Sequence, residues 1–280
     1  MLRRVVMIPY QDLYIYEVSG ELLGSRDYFK EDFVGCWNEG DVSFLFFSVP
    51  HDREVNTFLR RRRKNLRSTH VLDYQSWQAG EELKPFTIGP LVISPPWEEG
   101  VVGPGQSLIR LDPCVVFGTG YHPTTHSCLR ALVEICQGEK PRRVLDLGTG
   151  SGILALAAAK LGAEEILAVD LNELAVETAL RNVLLNDESP RIEVRRGKAE
   201  DFVEEEADLL CANLHFQAIA ALLERQAFFR KRWLILSGLL ERDRQEVEHR
   251  LLKGGLEIYL RAQDKHWTTL VVLNRTAGAD

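Results

Sequence analysis

The stretch VLDLGTGSGIL, residues 144–154, holds three glycines at alternate positions between an apolar run and a helix-forming segment. An apolar strand that passes through a glycine turn into a helix is the repeating unit of doubly wound α/β sheets, and ligands bind at this turn. Glycines there allow a sharp turn and let a ligand lie against the backbone. The stretch therefore predicts an α/β sheet with a ligand site at Gly148 and Gly150.

The chain after residue 143 repeats this pattern of strand and helix. The predicted strands are the apolar runs RVLDLG, EILAVD, IEVRR, DLLCAN and WLILSG. Buried strands that alternate with helices predict a mostly parallel, doubly wound sheet. The segment GLEIYLRAQDKHWTTLVVLNR, residues 255–275, has the pattern of two strands joined by a turn, which predicts an antiparallel edge.

The chain ahead of this sheet has a different character. Short aromatic runs such as DVSFLFFSVP are typical of strands separated by turns. The segment 94–106 is rich in proline and glycine, which predicts irregular chain. We predict a small α+β domain over residues 1–67, a linker over 68–88 and the α/β domain over 89–280.

Composition and charge exclude several classes of protein. The net charge of −7 gives no global basic field for nucleic acid. The run RRRRK at 60–64 is interpreted as a solvated helix face or loop, in preference to a contact for RNA or an acidic partner. The first residues lack the apolar core of a signal peptide, and no stretch is long enough to span a bilayer. Five cysteines without a CxxC pair fit reduced thiols. We expect a cytoplasmic protein without membrane segments or direct nucleic-acid readout.

The residues around the glycine turn distinguish between cofactors. Asp170 ends the next predicted strand, 20 residues beyond Gly150, and a carboxylate there can accept both hydroxyl hydrogens of a ribose. Dinucleotide folds prefer GxGxxG, whereas this chain has GxGxG. Asp146, two residues before the first glycine, suits an amino group and a cation better than a pyrophosphate. The pattern favours S-adenosylmethionine over a nicotinamide cofactor, with a glycine turn that binds no ligand as the remaining alternative.

The segment DLLCANLHF, residues 208–216, ends a predicted strand with Asn213 over the same crevice. Methyl transfer needs a neutral amine, whereas a lysine amine has a pKa of about 10.4 and is mostly protonated. Burial and a nearby cation favour the neutral form. An asparagine carbonyl can accept the amine N–H and aim its lone pair. Asn213 therefore predicts methylation of an amine, although the sequence departs from the Asn-Pro-Pro-Tyr of amino-methylating enzymes and Asn213 could simply cap the strand.

A second Gly-Thr-Gly loop, FGTGYHPTTHSC at 117–128, leads into a predicted helix. It precedes the first strand of the sheet, so it is not the cofactor's glycine turn. Pro123 fits a first helical turn, and the two threonines after it can cap free N–H groups. The two histidines of HPTTH have no acidic partner and do not form a zinc signature, so no metal site is predicted. We expect the loop to act as a lid over the methionine end of the cofactor.

These motifs resemble those of the ribosomal protein L11 methyltransferases over roughly residues 84–280. The likeness lies in DPCVVFGTGYHPTTHSCL, VLDLGTGSGILALAAAKLGA, AVDLNELAVETALRN, CANL, LILSGLL and the late HW. The resemblance implies a Rossmann-like class I methyltransferase sheet whose cofactor is S-adenosylmethionine. It implies that Thr125, Gly148, Asp170 and Asn213 contact the cofactor, and the glycine motif adds Gly150 of the same turn as a cofactor-binding residue. Asn213 and Thr125 are then the predicted catalytic residues.

The resemblance also implies a substrate. Members of the family methylate the N-terminal α-amine and lysine side chains of ribosomal protein L11, which a small N-terminal domain recognises. We expect the same activity here, from a monomer. The alternatives are a methyltransferase for another protein lysine or a small amine, a nicotinamide oxidoreductase, and a module that binds S-adenosylmethionine without transferring methyl. The linker DYQSWQAGEELKP and the first 70 residues depart from the family pattern. The resemblance therefore supports the catalytic chemistry more strongly than the identity of the substrate.

Overall fold

A computed structural model describes residues 11–74 and 83–277. The chain divides into two compact units, one of residues 1–84 with 172–174 and the other of residues 85–171 with 175–280. The chain start, where the absence of a signal peptide was predicted, lies outside the described residues, as does most of the DYQSWQAGEELKP segment.

The first unit is built on a four-stranded antiparallel sheet of order β2-β3-β1-β4. Its strands are β1 (Asp12–Ser19), β2 (Phe33–Glu39), β3 (Val42–Phe47) and β4 (Leu66–Asp73), and its helices are α1 (Ser25–Tyr28) and α2 (Asp52–Arg62). The core is largely aromatic and includes Tyr16, Phe29, Phe47 and Phe58. Aromatic rings supply a large apolar area from few residues, which suits a core of this small size. The separate α+β arrangement ahead of the main sheet is confirmed.

Strand β4 extends into the segment predicted to be a linker. It pairs with β1 as far as Asp73, opposite Asp12, so the predicted boundary at residue 67 falls inside a strand. Most of its residues are exposed on both faces, and an exposed strand lacks the alternation of apolar and polar residues that marks a strand in sequence. Backbone pairing with β1, which the sequence pattern does not report, holds this segment in the sheet.

The basic run RRRRK lies at the end of α2. Arg60, Arg61 and Arg62 form the last turn, and Arg63 follows in the left-handed conformation with φ 54°. The carbonyl end of a helix favours positive charge. The guanidinium of Arg62 also lies 3.8 Å from the centre of the Phe58 ring. The run therefore occupies the end of a helix, and the choice between a solvated face and a contact for RNA or an acidic partner stays a prediction.

The second unit contains a seven-stranded sheet of order β10-β9-β8-β11-β12-β14-β13. Its strands are β8 (Arg143–Leu147), β9 (Glu165–Asp170), β10 (Ile192–Arg196), β11 (Leu209–Asn213), β12 (Trp233–Leu240), β13 (Glu257–Asp264) and β14 (Trp267–Leu273). The first five in this order are parallel. Strands β14 and β13 complete an antiparallel edge. Both predicted features of the sheet are confirmed.

Helices cover both faces of this sheet. They are α3 (Pro123–Gly138), α4 (Ile153–Lys160), α5 (Glu173–Leu185), α6 (Ala199–Phe202), α7 (Phe216–Leu222) and α8 (Glu241–Lys253), with a 3₁₀ turn at Gln226–Arg230. Successive residues of a strand point to opposite faces, and accordingly Val144 packs in one apolar cluster and Leu145 in another. The sheet is therefore doubly wound, as predicted.

A third sheet joins β5 (Phe86–Ile88), β6 (Leu91–Ser94) and β7 (Ser107–Arg110). This sheet was not predicted from the sequence, because strands of three or four residues are too short to show periodicity. The side-chain amide of Asn186 accepts a hydrogen bond from the Arg110 backbone N–H and donates one to the Arg110 carbonyl. Within the described residues, no helix is long and apolar enough to cross a membrane.

Candidate functional site

The glycine turn after β8 is held against the end of β9. The N–H groups of Gly148 and Thr149 both donate to the carbonyl of Val169, at 2.8 and 2.9 Å. The N–H of Gly150 donates to the Asp170 carboxylate at 2.9 Å. Parallel strands end at the same edge of a sheet, and the structure brings these predicted residues together there. Asp170 is thus fixed beside the turn in a position to meet a ligand that lies on it.

The two Gly-Thr-Gly loops pack directly on each other. The backbone N–H of Ser151 donates to the Phe117 carbonyl at 3.0 Å, and the Ser151 hydroxyl donates to the Gly118 carbonyl at 2.6 Å. A Cβ added at Gly150, whose φ is 56°, would lie 2.5 Å from the Phe117 carbonyl oxygen. Glycine is therefore required at this position both for its backbone conformation and for the close approach of the first loop.

Gly150→Ala should destabilise the protein by roughly 2–4 kcal/mol, because it combines a left-handed alanine with a backbone clash. Gly105→Ala is the matched control, since Gly105 has φ 74° and open space around its Cβ position. The control should lose only about 1 kcal/mol, the cost of the backbone conformation alone. Urea unfolding of both variants measures the two losses. Equal losses would show that the loops do not constrain each other.

Asp146 is a fully buried acid beneath the glycine turn. One carboxyl oxygen, Oδ2, accepts the Thr149 hydroxyl at 2.6 Å. The other, Oδ1, has no hydrogen-bond partner among the described residues. Burial is the main cause that raises the pKa of Asp146 to about 7. The nearby charge of Asp170 contributes to this rise, while the Thr149 hydroxyl and the Ala155 N–H act in the opposite direction. Asp146 distinguished between cofactors in the sequence but was not among the predicted site residues.

Asn213 and Thr125 meet at the opposite side of the turn. Asn213 ends β11, Thr125 lies in the first turn of α3, and the Asn213 side-chain N–H₂ donates to the Thr125 hydroxyl at 3.3 Å. This contact leaves the carbonyl oxygen of Asn213 without a hydrogen-bond partner among the residues that the structure describes. The predicted role of the threonines as helix caps is not observed, because the side chain of His122 caps α3 by accepting the Thr124 N–H.

Aromatic rings surround this helix start. The His122 ring lies 5.0 Å from that of Phe117 and 5.4 Å from that of Trp267, both in edge contact. Burial lowers the pKa of His122, Lys265 lowers it further, and Asp264 opposes them. His122 is therefore neutral at physiological pH. Phe117 and Trp267 were not predicted as site residues, and the only sequence signal for Trp267 was the HW pair. Among the described residues, no group of three metal-binding side chains occurs.

The site therefore contains a glycine turn, two acids and a polar pair, which is the hydrogen-bonded Asn213 and Thr125. Asp146 and Asp170 flank the turn, and neither the turn nor Asp146 has a basic side chain paired with it among the described residues. A buried acid without a counter-ion favours a cationic ligand and disfavours an anion such as pyrophosphate. The carboxylate of Asp170 beside the turn can accept hydrogen bonds from the hydroxyl groups of a ligand. The residues present thus fit a cationic ligand that carries a sugar.

Comparison with known proteins agrees with this geometry. The family described as "Ribosomal protein L11 methyltransferase (PrmA)" matches residues 26–275. A ribosomal protein L11 methyltransferase of Desulfitobacterium hafniense is 40% identical over 198 residues, which cover 70% of this chain and 62% of that protein. One of Geotalea uraniireducens is 39% identical over 205 residues, which cover 68% of this chain and 64% of that protein. The matched part therefore spans less than two thirds of the length of these relatives.

A solved structure shows the same relationship. The crystal structure of ribosomal protein L11 methylase from Lactobacillus delbrueckii subsp. bulgaricus superposes with a TM-score of 0.59 at 29% identity. The superposition covers 68% of this chain and 97% of that one. The fold, the two glycine loops and the match over nearly the whole chain lead to one assignment. The chain belongs to the ribosomal protein L11 methyltransferase family.

Proposed function

We propose that the protein transfers methyl groups from S-adenosylmethionine to amino groups of ribosomal protein L11. The names of the relatives supply the substrate, and the site supports the chemistry. The observation that carries the proposal is the orientation of the Asn213 side chain. Its N–H₂ group is held by Thr125 at 3.3 Å, so the carbonyl oxygen is left to accept a hydrogen bond from an amine.

The residues around the glycine turn would hold the cofactor. Gly148 and Gly150 offer backbone without side chains, and Asp170 would accept the ribose hydroxyls. The buried carboxyl of Asp146 would supply negative charge near a cationic ligand. When bound, S-adenosylmethionine supplies a methyl group on a positively charged sulfur. The family resemblance adds Thr125 and Asn213 to the residues in contact with it.

The polar pair and the aromatic rings would help to deprotonate and orient the amine of the substrate. A lysine amine must lose its proton before it can attack, since its pKa is about 10.4 in water. The rings of Phe117 and Trp267, which lie against His122 at the start of α3, would displace part of the water around the amine and so favour its neutral form. The Asn213 carbonyl accepts one amine N–H and so directs the lone pair. Thr125, which is almost fully buried, fixes the orientation of the Asn213 amide.

The other candidate functions are less well supported. A nicotinamide dinucleotide would place its pyrophosphate on the glycine turn, beside Asp170 and above the buried Asp146, where negative charge is disfavoured. A module that only binds S-adenosylmethionine has no use for the amide acceptor on Asn213. A different protein lysine or a small amine would also fit the site, but the names of the relatives point to L11. We assign substrate recognition to the first unit, which includes β4 up to Asp73 and so extends past the predicted boundary at residue 67. We also propose that the enzyme is monomeric and cytoplasmic.

Incubation with labelled S-adenosylmethionine and purified ribosomal protein L11 tests the proposed function. We expect label on L11, and mass spectrometry should locate it on lysine side chains or the N-terminal amine. L11 whose amines have been chemically acetylated is the control and should stay unlabelled. A mixture of host ribosomal proteins tests the substrate, because label on another band would replace L11 with that protein. Calorimetric binding of NAD in place of S-adenosylmethionine would reject methyl transfer altogether.

A further inference from the structure

Asp146 stands out as a buried acid whose charge is not balanced by the described part of the protein. Its carboxyl is fully buried, Oδ2 accepts the Thr149 hydroxyl, and Oδ1 has no hydrogen-bond partner among the described residues. An ionised carboxylate in such a place is costly unless a cation or several hydrogen bonds compensate it. Either a proton or a cationic ligand must therefore neutralise this group.

Within residues 11–74 and 83–277, the elements next to Asp146 supply no cation. Asp146 on β8 lies in register with Ala168 on β9 and with Cys211 on β11. The Cys128 thiol faces it from α3, and burial raises the pKa of Cys128 to about 12 and that of Cys211 well above its ordinary value. Both thiols are therefore neutral. In the described part of the chain, the charged group that acts on Asp146 is Asp170, and its charge is of the same sign.

We propose that Asp146 carries a proton in the cofactor-free protein and releases it to solvent when cationic S-adenosylmethionine binds. The O–H bond of the carboxyl breaks, the electron pair stays on oxygen, and a buffer base takes up the proton. The bound cation then replaces the proton as the neutralising charge. This inference rests on the proposed function, because it takes S-adenosylmethionine as the ligand.

The pH dependence of binding follows from this exchange. Without cofactor the Asp146 carboxyl has a pKa of about 7, so at lower pH the cofactor must displace a proton. Affinity therefore falls as the pH falls below about 7 and levels off above it. By linkage, binding should be tighter at pH 7.0 than at pH 5.5 by a factor of roughly 15. Acidification of the medium would then release the cofactor.

Isothermal titration of the full-length protein with S-adenosylmethionine measures the proton directly. Titrations at pH 5.5, 6 and 7, each in buffers of different ionisation enthalpy, give the number of protons released. We expect most of one proton at pH 6 and about half of one at pH 7. Asp146→Asn keeps the shape of the side chain without its proton and should release none. Asp170→Asn keeps Asp146 and should bind more weakly but still release the proton.

The outcomes separate this inference from the proposed function. Equal proton release by wild type and Asp146→Asn would overturn the inference and leave methyl transfer intact. Failure of the wild type to bind S-adenosylmethionine at any pH would overturn both. If circular dichroism shows that Asp146→Asn does not fold, the wild type alone decides the question. A dissociation constant that is unchanged between pH 5.5 and 7.0 would then contradict the release of a proton.

Discussion

Asn213→Ala should lower the rate of methyl transfer by about 100-fold at saturating S-adenosylmethionine, the scale of loss that follows when a reacting group is misplaced by about an ångström. The amine would lose the carbonyl that accepts its N–H and aims its lone pair. Asn213 lies at the end of β11 and is only partly buried, so removal of its side chain should leave the fold intact. Single-turnover measurement with labelled S-adenosylmethionine and L11 separates this rate from any weakening of cofactor binding.

Variants of Thr125 test whether it positions Asn213. Thr125→Val removes the hydroxyl that accepts the Asn213 N–H₂ at 3.3 Å and should slow transfer by roughly tenfold, because the amide can then rotate. Thr125→Ser keeps the hydroxyl and should restore most of the rate. Turnover near that of wild type in Asn213→Ala would remove Asn213 from the chemistry. Equal loss in the valine and serine variants would show that Thr125 acts through packing alone.

The main sheet could be predicted because its strands are buried and alternate with amphipathic helices. Runs such as EILAVD and WLILSG became β9 and β12 because a strand covered on both faces must be apolar along most of its length. Strand β4 could not be predicted, since its exposed residues carry no periodic signal. The short strands β5–β7 gave too few residues for a pattern.

Some residues of the candidate site could be predicted from local sequence, whereas others could not. Gly148, Gly150 and Asp170 followed from a local motif, because a strand, a turn and the end of the next strand fix their positions. The contact between Thr125 and Asn213 spans 88 residues, and only the family resemblance indicated it. The protonation state of Asp146 depends on how several elements together bury its carboxyl group. No local pattern in the sequence reports how completely a side chain is enclosed.

A shortened protein that begins at Pro85 should bind S-adenosylmethionine with near-native affinity but methylate L11 at least about 100-fold more slowly. Pro85 begins the second compact unit, and every residue assigned to the cofactor or the chemistry lies in that unit. The first unit has its own aromatic core. We therefore expect its removal to affect capture of the protein substrate and not the transfer step.

The expected size of the loss comes from tethering. A substrate held by a linked domain meets the site at an effective concentration of about 1 mM, compared with about 1–10 µM for free L11 in a typical assay. The shortened protein should therefore recover its rate with a lysine-containing peptide at millimolar concentration, whereas the first unit added as a separate chain should not restore it. Calorimetry with S-adenosylmethionine confirms that the shortened protein is folded. If it methylates L11 as fast as the full chain, recognition lies in residues 85–280 and the first unit has another role.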